Sequence, residues 1–238
     1  MWGEIHNREG ENLDYSYAAG TTPEAELVVI GHGVTGNKDR PWAITLAETL
    51  SEAGFATLRF SFAGNGESEG RFADSCPTKE SADLASLLDV VAGPPITYVG
   101  HSMGAAVGVL RASEDTRITR LVSLAGMVDT QAFVERKFAD LTPEQDCMWE
   151  LPDCPYSRTF QDDMRRIHSV APLARDITIP WFLVHGSADT VVPFSESEHI
   201  QSQTAGPATL HRLEGSDHVF TDAFAPQMAT RVLDWLRS

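Results

Sequence analysis

The amino-acid sequence predicts an α/β protein with a mostly parallel central sheet and helices on both faces. Two observations lead to this fold class. Six short apolar runs, rich in β-branched and aromatic residues, are each bounded by glycine, proline or polar residues, as is typical of buried parallel strands. Helical periodicity appears between the runs, and such alternation requires crossover connections that cover both sheet faces. The length of 238 residues suits a single domain of this class.

The strand candidates are distributed along the whole chain. An opening segment, residues 13–21, alternates apolar and polar side chains, and we expect it to form an antiparallel edge strand. The apolar runs that follow are residues 26–33, 56–62, 96–102, 120–126, 181–187 and, more weakly, 209–215.

Helix candidates occupy the stretches between the strands. In residues 78–93, leucine and valine side chains recur at helical spacing and define one buried face. The remaining helices are predicted at residues 41–54, 104–115, 193–204 and 222–238.

One long interval interrupts this alternation. Residues 127–175 contain no clear strand, although connections in compact domains are usually far shorter. The interval is rich in aromatic and methionine side chains, so we expect an inserted cap that lies over the edge of the sheet. The predicted organisation is a core of residues 1–126 and 176–238 with a cap of residues 127–175.

Composition and charge exclude several classes of function. The formal net charge is −16, so nucleic acid and anionic lipid are not expected as partners. No apolar run approaches the roughly 20 residues of a membrane span, and the N-terminus lacks the apolar region of a signal peptide, which predicts a cytoplasmic protein. The spacing of Cys147 and Cys154 fits no common zinc pattern, and we expect no metal and no cofactor.

The segment GHSMG places Ser102 between two glycines, where an apolar strand turns into a helix. A nucleophile on such a turn has a strained backbone and an exposed hydroxyl, and the residues two positions away must be small. The N–H of Met103, at the positive end of the helix, would be one oxyanion donor. A nucleotide-binding turn is the alternative, but it requires G-x-G-x-x-G, which this segment lacks.

A serine nucleophile needs a base and an orienting carboxylate, which a parallel sheet would supply from the carboxyl ends of later strands. Asp189 follows the fifth apolar run and His218 follows the sixth, in the chain order expected for this arrangement. Asp217 adjoins His218 and is poorly placed to reach its Nδ1 atom, so Asp222 is the reserve for the acid.

Seven other histidines compete with His218 for the role of base. His199 and His211 fall in helix and strand candidates and are predicted to be structural or surface residues. His185 is expected to pack beneath its turn. The side chain of His101 is expected to point away from the nucleophile.

The second oxyanion donor is expected in the loop after the first strong strand. The segment GHGVTGNKD, residues 31–39, ends that strand, and the N–H of Val34 would face the nucleophile.

Five motifs in order, HGVTGNKD, LRFSFAGNGESEG, GHSMG, HGSADTVVP and GSDH, make nearly the whole chain resemble the α/β-hydrolases. The sequence is most similar to small, capped bacterial esterases of the cinnamoyl/feruloyl type. This resemblance implies the α/β-hydrolase fold. It also implies that Ser102 is the nucleophile, His218 the general base and Asp189 its orienting acid. Val34 and Met103 would then supply the oxyanion donors.

Two positions depart from these esterases: Ser61 stands where they usually carry Asp, and Met103 where they tend to have Gln. Backbone donation does not depend on the Met103 side chain. The predicted reaction is hydrolysis of an ester with a small-to-medium apolar or aromatic acyl group through an acyl-enzyme. A thioesterase, peptidase or amidase on the same residues is an alternative, and so is a non-catalytic ligand-binding protein. A homodimer is a further expectation, because relatives are often dimers.

Overall fold

A single sheet organises the computed structural model, which describes residues 2–22, 26–91 and 93–238. The sheet order is β1-β3-β2-β4-β5-β6-β7. β1 is antiparallel to β3, and all other neighbouring strands are parallel. In chain order the strands are β1 (Tyr15–Ala18), β2 (Leu27–Gly31), β3 (Ala56–Phe60), β4 (Ile96–His101), β5 (Ile118–Leu124), β6 (Trp181–Gly186) and β7 (Ala208–Leu213).

The predicted fold class is confirmed. Each of the six apolar runs overlaps a strand, and the opening segment forms the antiparallel edge. Most of the predicted runs end one or two residues beyond the strands that they contain, because the last residues of a run are already in the turn. The helices are α1 (Pro41–Glu52), α2 (Pro77–Val91), α3 (Met103–Ala112), α4 (Thr130–Lys137), α5 (Arg158–Ile167), α6 (Phe194–Gln203) and α7 (Phe224–Leu236).

Alternate strand residues build two apolar layers, one on each sheet face. Val28 and Ile30 of β2 face the layer that contains side chains of α1 and α7. Leu27 and Val29 of the same strand face the layer formed with α2, α3 and α6. This division follows from the two-residue period of a strand, which sends successive side chains to opposite faces.

Residues 127–175 contain two helices that the sequence did not predict, α4 and α5. Both are short and mostly polar, and each buries only two apolar side chains: Phe133 and Val134 in α4, and Phe160 and Met164 in α5. A third apolar cluster joins this segment to the residue that follows Ser102. Its members are Met103, Met127, Phe133, Val134, Phe138, Met148, Tyr156, Phe160, Met164 and Val192.

The boundaries of the cap remain a prediction. Val170, Ala171 and Ala174 lie in the predicted cap but pack in the layer with α2, α3 and α6. Within the described parts of the chain, every helix is too short or too polar to traverse a lipid bilayer.

Candidate active site

Ser102 occupies the turn between β4 and α3 with an unusual backbone conformation. Its φ is 54° and its ψ is −118°, a combination that residues other than glycine rarely adopt. The Ser102 N–H donates to the carbonyl of Leu124 at 2.9 Å, and its own carbonyl accepts from the N–H of Met127 at 3.1 Å. The end of β5 and the segment after it therefore hold the strained turn in place.

The two glycines of the GHSMG segment are required by close backbone contacts. A Cβ atom at Gly100 would lie closer than 3.0 Å to the carbonyl of Gly104. A Cβ atom at Gly104 would lie equally close to the carbonyl of His32, in the loop after β2. Gly104 thus brings the start of α3 against the loop that contains Val34.

Two backbone N–H groups beside Ser102 are available for a ligand. Among the described residues, neither the Val34 N–H nor the Met103 N–H has a hydrogen-bond acceptor. Met103 is the first residue of α3, where N–H groups have no partner within the helix. The loop that contains Val34 touches the serine, because a Cβ atom at Gly33 would be 2.8 Å from the Ser102 Cβ.

Asp189 and His218 lie after β6 and β7, and the structure brings their side chains together. The Asp189 Oδ2 atom is 2.8 Å from the His218 Nδ1 atom. The other two acid candidates, Asp217 and the reserve Asp222, do not occupy this position. Asp217 accepts hydrogen bonds from Thr221, and Asp222 has no hydrogen bond to His218 among the described residues.

The Asp189 carboxylate is fully buried and faces four hydrogen-bond donors. Oδ1 accepts from the N–H groups of Val191 and Val192, at 2.7 and 2.9 Å. Oδ2 accepts from His218 and also lies 3.1 Å from the Nε2 atom of His185. Burial alone would raise the pKa of Asp189, but the hydrogen bonds from His185, His218 and Val192 lower it well below the usual range. Asp189 is therefore an ionised acceptor at neutral pH.

A cavity of about 620 Å³ connects these groups. Ser102, Val34 and His218 line it, although no hydrogen bond joins the Ser102 Oγ atom to the His218 ring in the described part of the chain. Apolar side chains supply much of the remaining wall. They include Trp42 of α1, Phe133 and Trp149 of the predicted cap, and Val219 and Phe220 after β7.

Comparison with known proteins places the chain in a family. Residues 26–146, just over half of the chain, match the family described as alpha/beta hydrolase fold. The chain belongs to this family. It is 27% identical over 220 residues to the mouse protein "Palmitoyl-protein thioesterase ABHD10, mitochondrial", covering 85% of this chain and 71% of that protein.

Solved α/β-hydrolase structures share the fold of this chain. Est1E from Butyrivibrio proteoclasticus with bound ferulic acid superposes with a TM-score of 0.84 and 24% identity, over 98% of this chain and 97% of that one. Mouse ABHD10 superposes with a TM-score of 0.81 and 23% identity, over the same shares of the two chains. The family match and the thioesterase relative together indicate that the chain is a hydrolase of the α/β fold.

His101 of this hydrolase lies beside the base, a contact that the sequence did not predict. It has no hydrogen bond to Ser102 among the described residues, but it lines the same cavity. Its Nε2 atom lies 2.8 Å from the carbonyl oxygen of His218, and the two rings are 4.8 Å apart. Burial lowers the pKa of His101 to about 3, so its ring is neutral.

His185 is buried, as predicted, but the sequence did not predict its contact with Asp189. The two residues are separated by four positions across the HGSAD turn. That spacing was visible in the sequence, but only the shape of the turn shows that the imidazole folds back onto the carboxylate.

Proposed function

We propose that this hydrolase cleaves carboxylic esters with a small-to-medium apolar or aromatic acyl group, through an acyl-enzyme on Ser102. The proposal depends on one arrangement of chemical groups. A serine on a strained strand-to-helix turn and a histidine that is hydrogen-bonded to Asp189 line one cavity, beside two N–H groups for which the described residues supply no acceptor. This is the set of groups that nucleophilic acyl transfer requires.

The chemistry follows from the direction of the hydrogen bonds. Because His218 Nδ1–H donates to ionised Asp189, the Nε2 atom of the neutral ring has a free lone pair. That nitrogen removes the proton from Ser102 Oγ as the oxygen attacks the ester carbonyl. The N–H groups of Val34 and Met103 bind the oxyanion, and loss of one such donor costs about 10²–10³-fold in rate. His218 then protonates the departing alcohol, and water repeats the sequence on the acyl-enzyme.

The cavity supports the choice of acyl group. Its volume of about 620 Å³ lies within the ordinary range for small-molecule sites. Trp149 and Phe133 reach it from the predicted cap, and Trp42 and Phe220 reach it from the core. Apolar and aromatic walls favour an acyl group of the same character, since its burial is driven by removal of apolar surface from water.

A thioester is the second candidate substrate. The mouse relative is named a palmitoyl-protein thioesterase, and the same nucleophile, base and oxyanion donors would serve a thioester. That relative is also named mitochondrial, so the cytoplasmic location stays a prediction. The homodimer, and the prediction that neither nucleic acid nor membrane is a partner, also stay predictions.

The experiment measures initial rates with p-nitrophenyl acetate, butyrate and octanoate, with methyl ferulate and with a butyryl thioester. Wild type, Ser102→Ala and Ser113→Ala are compared, because Ser113 lies at the far end of the same helix. We expect Ser102→Ala to lose at least about 10³-fold in kcat and Ser113→Ala to match the wild type. The esterase proposal fails if no ester is turned over or if Ser102→Ala keeps its rate. Turnover of the thioester alone would select the second candidate.

A further inference from the structure

His185 makes three polar contacts in the interior of the molecule, and they determine which of its nitrogens is protonated. Its Nε2 atom lies 3.0 Å from the carbonyl oxygen of Val192 and 3.1 Å from Asp189 Oδ2. A carbonyl and an ionised carboxylate can only accept hydrogen bonds, so Nε2 must carry the proton. In the neutral ring Nδ1 then accepts, and the Ser197 hydroxyl is the donor at 2.7 Å.

Asp189 Oδ2 is therefore shared by two imidazoles. His218 donates to it through Nδ1, and the Nε2–H of His185, which bonds to the Val192 carbonyl, also faces it at 3.1 Å. Oδ1 accepts from two backbone N–H groups, so the carboxylate cannot rotate without breaking several hydrogen bonds. Its negative charge is also divided between the two rings that face the same oxygen.

We propose that His185 is a positioning residue for the proposed ester hydrolysis, which holds the Asp189 carboxylate and limits its attraction for the His218 ring. This inference rests on the proposed function. It assigns to His185 a role distinct from packing, because the Nε2–H that bonds to the Val192 carbonyl also faces the oxygen that orients the base.

Loss of the His185 donor has a definite consequence for the pH–rate profile. Asp189 Oδ2 would then bind His218 Nδ1–H alone, which stabilises the protonated imidazolium. The base would be protonated at a higher pH, and the acidic limb of kcat/KM would move upward. The other titratable ring beside His218 is His101 of β4, which this change does not touch, and the charged residues on the cavity wall are Arg40 and Asp222.

The test compares His185→Leu, which has no donor, with His185→Gln, whose amide N–H can reach as far as the imidazole Nε2. We expect the acidic limb in His185→Leu to rise by about one pH unit, with kcat lowered about 10–100-fold and KM changed less than about twofold. The limb in His185→Gln should return to the wild-type position. Ser197→Ala removes only the Nδ1 partner, and His199→Gln changes an exposed histidine on the same helix. Both should keep the wild-type limb.

A purely structural role predicts a different result. His185→Leu would then lower the melting temperature and kcat, but its acidic limb would coincide with that of the wild type, which overturns the proposal. If His185→Leu does not fold, ¹⁵N NMR of the wild-type protein still tests which nitrogen of His185 is protonated. The His185 ring must be protonated at Nε2 and bare at Nδ1, and the reverse pattern rejects it. This measurement needs no substrate, so the reverse pattern would overturn the proposal even if no ester is hydrolysed and the proposed function fails.

Discussion

Replacement of Ser102 by glycine should stabilise the protein relative to replacement by alanine. Both changes remove the hydroxyl, so both are expected to abolish ester hydrolysis. They differ in the backbone. Alanine must keep φ at 54° and ψ at −118°, whereas glycine adopts that conformation without steric conflict. The pair of variants therefore isolates the strain that the turn imposes on its side chain.

The magnitude follows from three contributions. A residue held in a sparsely populated conformation costs about 1–3 kcal/mol, and the upper part of this range applies because ψ lies far from the left-handed helical region. Against this, glycine adds about 0.4–1 kcal/mol of entropy to the unfolded chain. The loss of one methyl group from a residue only 4% exposed costs about 0.8 kcal/mol. The net stabilisation is about 1 kcal/mol, which corresponds to about 2–4 °C in melting temperature for a chain of this size.

The assay is thermal and urea unfolding of Ser102→Gly and Ser102→Ala under the same conditions. Ala106→Gly is the matched control, because it makes the same alanine-to-glycine change at a buried position inside α3. There glycine should lower the stability by at least about 1 kcal/mol. If Ser102→Gly is no more stable than Ser102→Ala while the control behaves as expected, the turn does not impose the strain described above.

Three further predictions concern a close contact, a buried acid and the cavity wall. Gly104→Ala should lower the free energy of unfolding by at least about 2 kcal/mol and abolish ester hydrolysis, because the new Cβ atom meets the His32 carbonyl; a variant with wild-type melting temperature and kcat would contradict this. Burial raises the pKa of Glu80 well above its usual range, although a hydrogen bond from Ser75 opposes the shift. Protonation of Glu80 therefore favours the native state, and its contribution is lost as pH rises above the pKa of the unfolded chain. Urea titrations should show Glu80→Gln more stable than wild type by about 1–2 kcal/mol at pH 8, with the difference shrinking toward pH 4, and a constant difference would be inconsistent. Trp149→Ala should raise KM for the octanoate ester about tenfold and for the acetate less than about twofold, because Trp149 supplies apolar wall to the cavity and a longer acyl chain has more apolar surface to bury against it. Equal changes for both esters would contradict a contact between Trp149 and the acyl chain.

The sheet and most of its helices were predictable because each element has a local signal. β-branched runs with glycine or proline at their ends predicted the strands, and their parallel order followed from the intervening helices. The same logic predicted that Asp189 and His218, each placed after a strand, would lie together at the carboxyl ends of the parallel strands. Their 2.8 Å hydrogen bond is what that placement implies.

The remaining features depend on contacts that no local pattern encodes. α4 and α5 have few apolar residues, and these are buried in the third apolar cluster by contacts with residues distant along the chain. The contact of His101 with His218 depends on how the segment after β7 returns to the end of β4. The contact of His185 with Asp189 depends on how one turn folds back on itself.

The contact between Gly104 and the His32 carbonyl also has a consequence for folding kinetics. β2 and β4 are neighbours in the sheet, but β3 and two helices separate them along the chain. The two N–H groups beside Ser102 come together only after this non-local, parallel pair has formed. Such pairing is slow because the entropy of loop closure is lost before the stabilising contacts form. Enzymatic activity in a refolding reaction should therefore return with the slowest phase of sheet formation, later than helical circular dichroism. The catalytic assay would then report directly on assembly of the central strand pair.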